Sequence, residues 1–143
     1  MKKIISALFV VFILGFTSET YAQLVVTSGA LNGTALGQNL AGNNITVTNA
    51  TVSGNVNQSG TFTFTGPGLD VSSGVILSTG NIFDAVGPND DGGTSTGYNG
   101  PGNTLLTNLA GQNTRDAVVL QFDFEVQSDE IEFNYIFMSE EYN

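Results

Sequence analysis

The chain has 143 residues, a formal net charge of −10, no histidine and no cysteine. Without those two residue types disulfides, thiolate metal centres, a lipidated cysteine, the usual nucleophile and base pairs and the common zinc sites are all excluded. The acidic balance excludes nucleic acid and anionic lipid headgroups as partners, and it leaves cations as the natural counterpart.

The chain opens with Lys2 and Lys3, runs apolar over residues 4–16, and then turns polar up to Thr20, Tyr21 and Ala22. These are the three parts of a signal peptide over residues 1–22, with cleavage expected after Ala22. The competing reading is a retained membrane anchor. It is disfavoured because the apolar run holds only about a dozen residues, short of the roughly 20 a spanning helix needs, before Gly15, Thr17, Ser18 and Glu19 end it. Export through the Sec machinery is therefore expected, with no membrane span after cleavage. Residues 23–143 then form one domain's worth of chain, and in them Arg115 is the single basic residue against twelve acidic ones.

From residue 23 to 102 the sequence is dense in Thr, Ser, Asn, Gly and Val and poor in strong helix formers, which favours short strands joined by tight turns. Disorder is the competing reading for so polar a stretch, but a hydrophobic content of 41% and ten phenylalanines supply a core. Strands are predicted over 24–27, 45–52, 61–65 and 75–78, each bounded by Gly, Asn or Pro. Ala35, Leu36 and Leu40 have helical spacing ahead of Gly42, so a short helix is expected between the first two strands. The Gly- and Pro-rich stretch 87–102 reads as a long loop. A second short helix is expected over 104–110, with Leu105, Leu106 and Leu109 on one face and Gly111 as its stop.

The strongest pattern follows. Val118, Leu120, Phe122, Phe124 and Val126 alternate with Val119, Gln121, Asp123 and Glu125, and the alternation resumes with Ile131, Phe133, Tyr135 and Phe137. An antiparallel hairpin or corner with one apolar face is expected there. One sheet cannot cover that face alone, so the other strands are expected to supply a second sheet. The predicted fold is all-β, a β-sandwich or jelly-roll with one or two short helices. The chain stops at Asn143 without a turn or cap, from which an incomplete domain is expected.

Continuing the alternation places Glu141 on the apolar face, where a carboxylate needs a partner. Backbone amides or a bulge that turns the side chain to water are the plain solutions. The third is Ca²⁺, for which Asp84, Asp90, Asp91, Glu140 and Glu141 are the candidate ligands, set among Asn, Ser and Thr oxygens, since Ca²⁺ takes about six to eight oxygens. No EF-hand or nonapeptide spacing supports it. Glu140 and Glu141 do not make a glycosidase pair, because adjacent strand residues point to opposite faces. Gly-rich stretches such as 97–102 lack the lysine and the strand-to-helix context of a phosphate loop. Asn-x-Ser/Thr triplets at Asn32, Asn44, Asn49 and Asn57 are what an Asn- and Thr-rich chain produces by chance. Most phenylalanines sit at alternating strand positions and read as core. Tyr98, alone in the polar loop, is the aromatic placed to contact a ligand or partner.

Seven blocks carry a family resemblance: Thr-Ala-Leu-Gly-Gln-Asn-Leu-Ala-Gly at 34–42, Gly-Val-Ile-Leu-Ser-Thr-Gly-Asn at 74–81, Gly-Pro-Asn at 87–89, Gly-Pro-Gly-Asn at 100–103, Leu-Ala-Gly at 109–111, Asp-Ala-Val-Val-Leu-Gln-Phe-Asp-Phe at 116–124, and Phe-Asn-Tyr-Ile-Phe-Met-Ser-Glu-Glu-Tyr at 133–142. In order and spacing they resemble the choice-of-anchor L domain, a module of exported proteins found often in Bacteroidota. The resemblance implies large exported chains whose distant C-termini carry alternative anchoring signals, type IX secretion and gliding-motility-associated kinds among them. It implies further strands beyond the Ser-Glu-Glu-Tyr block, and it carries over no catalytic residue.

The expected location is therefore the outside or outer surface of a Gram-negative cell, and the expected role is a non-catalytic, adhesin-like module that meets glycans or protein partners through its loops. The alternative is an accessory domain of a secreted hydrolase whose catalytic part is encoded further on, and a third reading is a piece that does not fold alone.

Overall fold

The computed structural model describes residues 22–42, 45–87, 93–94, 96–126 and 129–139. In chain order these form β1 (Gln23–Ser28), α1 (Gly33–Ala41), β2 (Ile45–Ser53), β3 (Ser59–Thr65), β4 (Ser73–Leu77), a 3-10 turn (Ile82–Val86), α2 (Thr104–Ala110) and β5 (Val119–Val126). Strands dominate and both helices are short, as an all-β chain requires.

The strands form two antiparallel sheets. One has the order β1-β3-β4, and the other joins β2 to β5. In the first, β3 is central: Gly60 faces Ser28 of β1 on one side and Ile76 of β4 on the other. In the second, β2 and β5 run in register from Ile45 opposite Val126 to Ser53 opposite Val119. Between Thr48 and Thr51 the register shifts, so that Asn49 and Ala50 oppose the single residue Phe122. Asn49 adopts a left-handed φ of 51°, which asparagine tolerates better than most residues. Its amide donates to Asp123 Oδ2 at 2.7 Å and so ties the bulge to the opposite strand.

Helix α1 packs against strands of both sheets. Asn32 starts it, accepting the Ala35 N–H on its side-chain oxygen, and Gly42 at φ 78° ends it. Close approach needs small residues on the helix. A side chain at Gly37 would meet Val47 Cγ1 at 3.0 Å and the Phe122 ring at 3.4 Å, while one at Gly33 would lie 2.8 Å from the Thr51 backbone. Leu36 lies beside Gly29 and is 1% exposed; with Ile82, at 0%, it makes up the buried hydrophobic core among the described residues.

The expected hairpin between 118–126 and 131–138 is not formed. β5 takes β2 as its partner, and residues 131–139 carry no ladder and lie exposed. One ring contact joins the two stretches, Phe124 edge-on to Phe133 at 6.3 Å between centroids, which is the pairing a hairpin with a four-residue connection over 127–130 would give. Continuing that register would set Glu132 directly opposite Glu125, and like charges across a strand pair are destabilising. β5 pairs with β2 along one edge, and its other edge carries no ladder among the described residues.

Ser59, at the start of β3, is fully buried, and its Oγ has no hydrogen-bond partner among the described residues. An unmade bond leaves only the cost of desolvating the hydroxyl. Ser59→Ala is therefore expected to leave stability unchanged or raise it by up to about 1 kcal/mol. Urea unfolding checks this, and a clear loss of stability would show that the hydroxyl has a partner.

Candidate functional site

One end of the molecule is organised by Gln58, in the turn between β2 and β3. Its side chain is 2% exposed, and it makes three bonds to three separate parts of the chain. Oε1 accepts the Asn55 N–H at 2.5 Å, and Nε2 donates to the Thr79 and Asp116 carbonyls, each at 2.9 Å. Gln58 uses both ends of its main chain as well: its N–H donates to the Asn55 carbonyl and its carbonyl accepts from Ser78. The residue thus fastens the β2–β3 turn to the end of β4 and to the approach to β5, bridging the two sheets.

Asp116 is the second fixed point. Its φ of 50° is left-handed, a conformation that aspartate adopts more readily than most residues. That geometry sends its carbonyl to Gln58 while its carboxylate accepts the Gly100 N–H on Oδ1 and its own N–H donates to the Gly100 carbonyl. Ala117 N–H donates to the Pro101 carbonyl, and Pro101 bridges Arg115. Residues 100–103 and 114–117 therefore run side by side as a neck.

Helix α2 is the head on that neck. Asn103 caps it, accepting from Leu105 and Leu106 N–H. Thr114 Oγ1 closes the base, receiving the Asn103 N–H at 3.1 Å and meeting Thr107 Oγ1 at 2.7 Å. Gly102 presses on the Thr114 backbone so closely that no side chain fits there. The predicted stop at Gly111 is met, with φ 68°.

Between the neck and the β2–β3 turn lies a cleft of about 350 Å³. Its walls include Gly54, Asn55, Gln58, Tyr98, Gly100, Pro101, Asn103 and Asp116. Tyr98, singled out by sequence as the aromatic in the polar loop, lies in this wall and is half-buried. Sequence reasoning missed Gln58 and Asp116. The trace available for Asp116 was its place just before the strongest strand and fourteen residues after a Gly-Pro-Gly run, whereas Gln58 left no trace among Asn, Ser and Gly.

Of the five calcium candidates, Asp90, Asp91, Glu140 and Glu141 lie outside the described residues. Asp84 is half-buried in the first turn of the 3-10 segment that Asn81 caps. Among the described residues no three acidic side chains come together as a metal cluster. No helix among them is long and apolar enough to cross a membrane.

Neither a curated protein nor a solved structure matches the chain. The sequence profile of the choice-of-anchor L domain matches residues 16–143, a span that takes in every strand, both helices, the neck and the cleft. On that match the chain belongs to the choice-of-anchor L domain family, which implies an exported or cell-surface module.

Proposed function

We propose that the chain is a non-catalytic module of an exported surface protein, carried outside a Gram-negative cell after loss of residues 1–22, and that it serves adhesion by holding a glycan or protein partner through its loops. The observation that supports this most is the cleft. It is built by loops and turns tied to the two sheets through Gln58 and Asp116, the arrangement in which loops carry recognition. Its lining offers an aromatic ring, amides and one carboxylate, in a chain with no histidine or cysteine to serve as base or nucleophile.

Attachment of living cells tests the reading. Cells carrying the gene are expected to adhere to mucin-coated and polysaccharide-coated surfaces better than cells in which it is deleted, and purified protein added in excess is expected to compete the difference away. Equal attachment of the two strains would count against an adhesive role.

A further inference from the structure

Four polar groups on residues that line the cleft have no hydrogen bond to another described residue: Tyr98 Oη, Asn55 Nδ2, Asn103 Nδ2 and Asp116 Oδ2. Each belongs to a half-buried residue, and each is itself open to solvent. Three of the four side chains are held by their other atom. Asn55 Oδ1 accepts from Asn57, Asn103 Oδ1 from Leu105 and Leu106, and Asp116 Oδ1 from Gly100. Those bonds fix the orientation of the free atoms before any ligand arrives, which lowers the entropy lost on binding.

We propose that this cleft binds one ring of a neutral saccharide. The inference rests on the reading of the chain as an interaction module and names the ligand class of its site. Neighbouring hydroxyls on a sugar ring both donate and accept. A carboxylate oxygen takes two donors, and amide N–H groups supply the return bonds. The C–H face of the ring is apolar and lies against an aromatic face, which Tyr98 supplies. Gly54 and Gly100 contribute backbone alone to the lining, and the volume of about 350 Å³ falls near the lower end of the roughly 300–1,000 Å³ range of small-molecule sites. Charge selects among sugars: a formal −10 on the protein and a carboxylate in the wall disfavour uronic, sialic and sulfated rings.

The test is calorimetric titration of the intact exported protein with cellobiose, maltose, lactose, mannobiose and chitobiose, with a heparin disaccharide as the anionic arm. At least one neutral disaccharide is expected to bind with a Kd of about 1 mM or tighter, and the heparin disaccharide is expected not to bind. Tyr98→Ala is expected to weaken binding about tenfold through loss of the stacked ring. Asp116→Asn supplies the control on folding, because asparagine keeps the left-handed backbone and the Oδ1 acceptor for Gly100 while replacing the free oxygen by a donor. It is expected to weaken binding with an unchanged melting temperature. Failure of all the neutral disaccharides to bind, or binding that both variants leave intact, overturns the proposal. Adhesion in the cell assay without saccharide binding also overturns it and leaves the module reading standing, whereas saccharide binding without any contribution to adhesion supports the site and removes the adhesive role.

Discussion

Gly60→Ala is expected to cost more than about 4 kcal/mol, in the far tail of single-substitution effects, and to leave a chain with no cooperative melting transition. Gly60 occupies the central strand of the three-stranded sheet, paired on both sides. A Cβ added there would overlap the Thr27 carbonyl oxygen and come within 2.7 Å of Ile82 Cδ1. The first obstacle is backbone of a hydrogen-bonded neighbour and cannot rotate away. The second is one of the two buried core side chains, and displacing it opens the core that it fills. Circular dichroism on heating measures the outcome, and a variant that melts cooperatively near the wild-type temperature would show that β1 and β3 do not lie as described.

Gln58→Leu is expected to destabilise the chain by roughly 3 kcal/mol. Leucine matches the glutamine in volume but removes three side-chain bonds, and the Asn55 N–H and the Thr79 and Asp116 carbonyls lose their partner. Each such group stripped of its bond costs of order 1 kcal/mol or more. The loss is also directional. Because Gln58 ties both sheets to the neck, amide exchange is expected to rise first at Gly100, Asp116 and Ala117, and later in the interior of β3. Urea unfolding with hydrogen exchange reads both effects. Wild-type stability in the variant would mean that α1 alone holds the sheets together.

The sequence showed where strands lie better than it showed what they pair with. Alternation of Val and Thr in 45–52 and of Leu and Phe with Gln and Asp in 118–126 reports which side chains share a face. Period two carries no information about the neighbouring strand, so the pairing of β2 with β5, some seventy residues apart, was hidden. The stretch 131–138 shows the limit most plainly: it alternates only as far as Tyr135 before Ile136, Phe137 and Met138 break the pattern, Glu132 would meet Glu125 in a hairpin with a four-residue connection, and no ladder forms. The short helices were legible because each has an identifiable end, Gly42 for α1 and Gly111 for α2. The 3-10 turn was not, since its five residues show too little periodicity, although Asn81 capping Phe83 N–H marks its start.

Within the cleft, Tyr98 stood out because an aromatic ring in a run of Gly, Asn and Thr has no core to join. Gln58 could not stand out. Its role exists only when the β2–β3 turn, the end of β4 and the approach to β5 converge, and nothing local encodes that meeting. Asp116 combines a left-handed backbone with a carboxylate anchored on Gly100, and both become visible only once the neck is formed.

The proposed adhesive role stands on export of this chain, since a module that never leaves the cytoplasm meets no surface partner. Mass spectrometry of the protein recovered from the surface or medium of living cells reads this directly: the mature form is predicted to begin at Gln23, with residues 1–22 gone. Recovery of the chain only from the cytoplasm, with Met1, Lys2 and Lys3 still in place, would contradict it.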